Sequence, residues 1–268
     1  MIARRYSRGF DALMSIPLVI YAIIIVALIV AMFGQITSES VRLAFTDPAL
    51  RHSIWLSLTT STASTLLSML VAVPAGYTLS RRVFRGHTLV DSLIDLPIVL
   101  PPLVMGLAIL IFFNTSVGRW LDRGLVEHGL FVYQPLGIVL AQFIVGCAFC
   151  IRVVKAGFDA FDWRYEETAM TLGANQVQCF FRVVIPNVGA SLVAGGVITW
   201  ARIFGLFGPI LLVAGTMRGK TEIMPTTIFL ETSIGRFEVA LVIAEMMVLI
   251  SLVTLIIFKR LGGKGVVG

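Results

Sequence analysis

The chain reads as an all-α polytopic membrane protein, and three features of its 268 residues say so. Hydrophobic residues make up 57% and charged residues only 13%, against about 25% charged in a soluble domain. Mean hydropathy is +0.94. Apolar runs long enough to span a bilayer recur along the whole length, since about 20 residues are needed per helix. No internal repeat and no soluble second domain stands out, so residues 1–268 form a single transmembrane domain.

Six spans are predicted, at about 16–33, 54–79, 93–113, 135–154, 188–213 and 239–258. The first follows a basic start, Met-Ile-Ala-Arg-Arg-Tyr-Ser-Arg, as a signal peptide would. It is nonetheless long enough to span, and no A-x-A-like site follows it, so it is read as a retained helix.

The second span carries Ser57, Thr59, Thr60, Ser61, Thr62, Ser64, Thr65 and Ser68. Small hydroxyl residues let helix backbones approach closely, which favours helix packing over a polar pore lining. The third opens with Pro97, Pro101 and Pro102. Proline removes a backbone donor and kinks a helix, so irregular backbone here must lie against protein or a water-filled cavity. Cys147 and Cys150 in the fourth span form a C-x-x-C. Inside an apolar helix they are expected to be small packing residues. The fifth span holds Gly195, Gly196, Gly205, Gly208 and Pro209, a density that suits close crossings or a wall that changes shape.

Orientation follows from Lys and Arg, which favour the cytoplasmic side. With the N-terminus cytoplasmic, thirteen fall on inner segments, seven on outer segments and Arg202 within a span, all 21 accounted for. Both termini are then cytoplasmic, and so is the polar stretch 159–186. Nucleic-acid binding is excluded because the basic residues sit at membrane boundaries rather than in one patch. Three cysteines and three histidines imply neither a metal site nor a cofactor, and no nucleophile–base set marks an enzyme.

The stretch 159–186 is polar and helix-like between two apolar spans. Asp162 is placed to cap a helix with Glu166 and Glu167 in its first turns, where the dipole favours carboxylates. Tyr165, Ala169 and Leu172 make an apolar stripe, and Gly173 sits where a C-cap needs positive φ. Asn175 and Gln178 have capping-box spacing. Val177, Phe180, Phe181 and Val184 recur at helical period, and Pro186 is expected to end this second helix. Physics alone leaves two readings open, docking into a partner's groove or lying on the inner membrane surface.

Glu167-Thr168-Ala169, Gly173 six positions after the Glu, then Val183, Ile185 and Pro186 resemble the E-A-A-x-x-x-G-x9-I-x-L-P loop of ABC importer permeases. Thr168 departs from the usual alanine. The resemblance extends from the second span to the sixth. It implies that the loop is a coupling helix inserted into the ATP-hydrolysing subunit, with Glu167, Thr168, Ala169, Gly173, Phe180, Ile185 and Pro186 at or shaping that contact. It also implies a second permease copy, most simply as a homodimer, and a periplasmic or lipid-anchored substrate-binding protein. ATP hydrolysis then resides in a separate chain, and this one is no enzyme.

Residues 214–221 fit a relaxed phosphate-loop pattern. They follow a span rather than a strand and fall on the outer side, so the match is read as chance.

Arg202 and Glu245 are the ionisable residues farthest from span ends, and such residues are functional candidates. Their similar depth suggests a pair locking the fifth span to the sixth; the competing reading has Arg202 attracting anions in the pore. Pro101, Pro102, Gly205 and Gly208 are the other pore candidates. The segments 96–106 and 201–215 resemble those of molybdate, tungstate and sulfate permeases, except that Leu206 stands where a Glu is usual. Ferric-iron, thiamine and polyamine permeases share parts of both. An oxyanion is therefore the expected substrate, and an ATP-independent secondary transporter is the alternative class, which would need inverted repeats and paired broken spans.

Overall fold

The computed structural model describes residues 8–34, 41–42, 45–124 and 129–262. The basic residues Arg4, Arg5 and Lys264, used above for orientation, lie outside them. Among the described residues the fold is all helix. Five helices are long and apolar enough to cross a membrane, and a bent pair supplies a sixth.

Helix α1 (Arg8–Phe33) stands at the edge, and none of its Leu13–Phe33 window is buried. The centre is built from α2 (Pro48–Arg81), α6 (Pro135–Ala160) and α9 (Ile185–Phe204). Asp47 caps α2 by accepting from the Ala49 N–H at 2.8 Å. The buried face of α2 is the hydroxyl stripe Ser53, Ser57, Thr60, Ser61, Ser64, Thr65 and Ser68. It packs against α6, where Ser64 donates to the Val139 carbonyl at 3.0 Å. These hydroxyls are packed between helices, whereas Thr59 and Thr62 of the same span are exposed.

Glycine sets how close the three helices come. A Cβ on Gly76 would lie 3.1 Å from both Val154 Cγ1 and the Lys155 nitrogen, and one on Gly195 would lie 3.1 Å from Val154 Cγ2. Val154 is fully buried between them. Cys147 and Cys150 are buried free thiols, with Cys150 Sγ 3.2 Å from Met69 Sδ.

The third span is not one helix. It is α3 (His87–Val99) and α4 (Pro102–Asn114), bent by 111°. Pro101 and Pro102 lack amide donors, and the clash of a proline ring with the preceding residue drives Leu100 to extended backbone, ψ 140°. On α6, Arg152 holds α3 through Asp91 (2.8 Å) and Asp95 (2.5 Å). A short α5 (Ser116–Arg123) follows α4. Its buried Asp122 accepts from the backbone nitrogens of Leu130 and Phe131 at 3.0 and 2.7 Å.

The fifth span also departs from expectation. Helix starts at Gln176 and runs unbroken to Phe204, so Pro186 does not end it. α8 (Gln176–Cys179) passes through a π turn, Phe180–Val184, into α9. An α-helix would place the Pro186 ring against the carbonyl four residues earlier and lack its hydrogen bond. The wider turn relieves this, with the Ile185 N–H reaching Phe180 and Asn187 Nδ2 covering the Val183 carbonyl at 2.6 Å. After Phe204 the chain breaks at residues 205–207 and resumes as α10 (Gly208–Val213).

Residues 214–238, between the fifth and sixth spans, are partly packed into the bundle, while 217–220 are exposed. Ala214, Thr221, Glu222, Ile223, Met224, Thr226 and Thr227 are buried, and α11 (Met224–Ser233) packs between α2 and α12 (Phe237–Gly262). Thr226 satisfies the Ile223 N–H at 2.9 Å, while Ser57 of α2 accepts from the Met224 N–H at 2.8 Å. Paired hydroxyls are what make so polar a segment buriable.

Candidate functional site

Two features gather the residues singled out from sequence. The first is the loop between α6 and α9. Its first helix, α7 (Arg164–Thr171), begins one residue later than expected. Asp162 does cap it, accepting from the Arg164 N–H at 3.0 Å. Gly173 ends it at φ +92°, with its own N–H on the Met170 carbonyl (3.0 Å) and that of Ala174 on Ala169 (3.1 Å). These are the two bonds of a Schellman cap. Asn175 and Gln178 form the capping box on the second helix.

Neither apolar stripe is a single buried face. Tyr165 is 63% exposed and Leu172 84%, with Ala169 tucked inward. In the second helix the π turn shifts the register. Cys179, Val184 and Val188 are buried, whereas Val177 and Phe181 are exposed, the latter pair not joining Val184 on one face. Phe180 is half-buried on Tyr77, ring centroids 4.9 Å apart. The loop thus presents Tyr165 and Leu172 as bare apolar side chains between two spans, and Val177 and Phe181 on the first turns of the second. Glu167, Thr168 and Pro186 are exposed, and Ile185 is half-buried.

What sequence reasoning missed is Glu166. It is 7% exposed and takes 2.7 Å bonds from both Arg81 Nε and the Tyr77 hydroxyl of α2. Arg81 also donates to the Phe161 carbonyl at 2.9 Å. Two adjacent glutamates point opposite ways, a contrast that the spacing from Arg81 in sequence could not reveal.

The second feature is a meeting of two breaks. Gly106 of α4 lies against Pro209 of α10, where an added Cβ would come 2.6 Å from Pro209 Cα. Gly208 faces Leu103 at 3.2 Å in the same sense. So Leu103 and Gly106, just after Pro101 and Pro102, meet Gly208 and Pro209, while a carbon added at Gly205 would have nothing within 4 Å. The open carbonyl of Ile203 accepts from the Leu206 N–H at 3.1 Å and from Gln142 Nε2 at 3.3 Å. Gln142 is fully buried and also bonds Ser61 (3.2 Å) and Ser64 (3.1 Å). Irregular backbone at membrane depth needs such internal partners. Leu206 packs in an apolar cluster with Ile109, Phe113 and Ile210, an environment that suits leucine.

Arg202 and Glu245 form no ion pair. The Arg202 guanidinium stacks on Phe149, 3.6 Å from the ring centroid, on an exposed face of α9. Glu245 is 3% exposed, and its Oε1 has no hydrogen-bond partner. Similar depth, the reason for expecting a pair, does not fix azimuth around the two helices. Residues 214–221 follow α10, a helix, and close a turn in which Thr221 Oγ1 accepts from the Met217 N–H at 3.1 Å.

A helical subunit with one polar, doubly capped loop, a third span bent into two helices and a break at 205–207 after the fifth is thereby defined. Residues 68–264 match the family described as the binding-protein-dependent transport system inner membrane component, and the chain belongs to that family. It is 38% identical over 178 residues to the molybdate/tungstate transport system permease protein WtpB of Pyrococcus furiosus, covering 66% of this chain and 65% of the relative. The chain therefore spans just under two thirds of that relative's length. It is 30% identical over 257 residues to the sulfate transport system permease protein CysW of Escherichia coli, covering 92% and 87%. A bacterial ABC transporter involved in import of the acidic polysaccharide alginate shares the fold, with TM-score 0.77, 16% identity and coverage of 97% and 96%.

Proposed function

We propose that this chain is the transmembrane subunit of a binding-protein-dependent ABC importer and that its substrate is an oxyanion. Its loop, residues 159–186, lies on the cytoplasmic side and seats in a separate ATP-hydrolysing subunit. Two copies of the chain enclose the pathway, and a periplasmic or lipid-anchored binding protein delivers substrate to the opposite side.

The carrying observation is the loop itself: two capped helices, with Tyr165 and Leu172 left exposed ahead of the span helix that starts at Gln176, and Val177 and Phe181 exposed on its first turns. Apolar side chains held in that way are what a partner groove buries. Glu167, exposed on the first turn of α7, is free to meet a basic side chain of that partner. The names of the relatives, molybdate/tungstate and sulfate permeases, support an oxyanion.

ATP-driven closure of the two ATPase subunits would carry the loops with it, and the meeting of α4 and α10 would rearrange. The chain alone then neither hydrolyses ATP nor pumps. Cross-linking tests the seat: a cysteine replacing exposed Thr168 should join the co-expressed ATPase subunit and should not do so at lipid-facing Leu18. Thermal-shift assay of the partner binding protein should show stabilisation by molybdate, tungstate or sulfate and none by ferric iron, thiamine or spermidine. The reverse pattern would remove the substrate assignment.

A further inference from the structure

We infer that Glu166 is a positioning residue that clamps the loop to α2, making α2 the rod through which loop movement reaches the far end of the bundle. This rests on the loop being the seat of the ATPase.

Glu166 is the buried side chain of α7. An eight-residue helix is too short to hold itself in water, so its orientation depends on what grips it. The grip is polar and directional: Arg81 and Tyr77 donate to the two carboxylate oxygens separately, each at 2.7 Å. Arg81 is itself fixed, by the Phe161 carbonyl at 2.9 Å and by Ser80 Oγ at 3.1 Å. Tyr77 is wedged edge-on between Phe158 and Phe180, at 5.5 and 4.9 Å. A purely apolar seam could slide as the loop tilted, whereas a two-pronged carboxylate fixes angle as well as distance.

Arg81 is in the last turn of α2, one helix of 34 residues. Near its other end Ser57 holds the N-terminus of α11 through the Met224 N–H. The 24 residue steps from Ser57 to Arg81 span roughly 36 Å at 1.5 Å per residue. One continuous helix thus touches the loop at one end and, at the other, the buried segment that packs on α12.

The assembled complex, with its ATPase subunit, is reconstituted in nanodiscs. A thiol reagent reports on Ile234→Cys, exposed at the end of α11, and cross-linking at Thr168→Cys reports on docking. In the parent complex, ATP with vanadate changes the Ile234→Cys labelling rate. In Glu166→Gln the cross-link persists while that change shrinks at least fivefold. The swap Arg81→Glu with Glu166→Arg restores at least half of it, which a loss of local packing would not allow. If Glu166→Gln does not assemble, Tyr77→Phe, which removes one prong, carries the same comparison with about a twofold loss. A full response in Glu166→Gln with docking intact overturns the clamp alone, as does failure of the swap to rescue or a parent complex whose Ile234→Cys label ignores ATP. Absence of the Thr168→Cys cross-link in the parent overturns the docking reading, and the clamp with it.

Discussion

Gly106 and Pro209 touch backbone to backbone: a methyl group on Gly106 would sit 2.6 Å from Pro209 Cα and 3.1 Å from the Pro209 carbonyl oxygen. Neither atom can rotate away. Gly106→Leu should therefore push α4 from α10 and cost more than the roughly 1–3 kcal/mol of ordinary overpacking. Thermal unfolding in detergent should show a clear fall, whereas Gly189→Ala, where nothing lies within 4 Å of the added carbon, should be nearly silent.

Gln142 closes the other side of that junction. Gln142→Leu keeps the volume but withdraws the amide from Ile203 and Ser61. The Ile203 carbonyl retains the Leu206 N–H, and Ser64 retains the Val139 carbonyl, so the loss is partial. Hydrogen bonds between membrane helices contribute about 0.6 to 1.7 kcal/mol each, and a total of about 1–2 kcal/mol is expected. Ser61→Ala in the same background should add less than it does alone, because the two share a bond.

Burial raises the Glu222 carboxyl above its ordinary 4.5, and Glu231 and Asp47 push the same way against Arg218 and Thr227. Glu231 is itself held by Arg218, with Arg236 at 3.9 Å. An acid whose folded value is raised binds its proton more readily in the folded state. Its contribution to stability is complete below 4.5 and is lost as pH rises through the higher folded value. Melting temperatures of the parent should thus fall across that window, and Glu222→Gln should flatten the curve. A parallel pair of curves would mean that water or Arg218 already compensates the charge.

Much of this architecture was legible because apolar periodicity and caps act locally. The caps at Asp162, Asn175 and Gly173 depend on neighbours within four residues, and all three are where spacing put them. Prolines 101 and 102 announced irregular backbone, yet not that α4 would leave α3 at 111°. Pro186 misled for the same reason: a local rule said stop, and a π turn with Asn187 accommodated it. The polarity of residues 214–238 suggested an open loop and could not show that Thr226 and Ser57 bond their backbone internally. The partners of Glu166 and Arg202 lie 85 and 53 residues away in sequence, at Arg81 and Phe149. No periodicity carries that information.

Gly173 gives the sharpest test of the loop. Its φ of +92° is open to glycine and closed to proline, whose ring holds φ near −65°. Proline would also delete the N–H that caps Met170, so Gly173→Pro breaks the corner between α7 and α8 in two ways. Gly173→Ala is gentler: space around the added carbon is free, and the cost is the roughly 1–2 kcal/mol of left-handed backbone. Nothing lies within 4 Å of a carbon added at Gly173, so both variants should insert and assemble. Transport per ATP should be kept within about twofold by Gly173→Ala, whose strain is small, and be lost in Gly173→Pro. If Gly173→Pro transported at the parental rate, the relative placement of the two loop helices would not matter for coupling, and the loop's role as the seat of the ATPase would have to be given up.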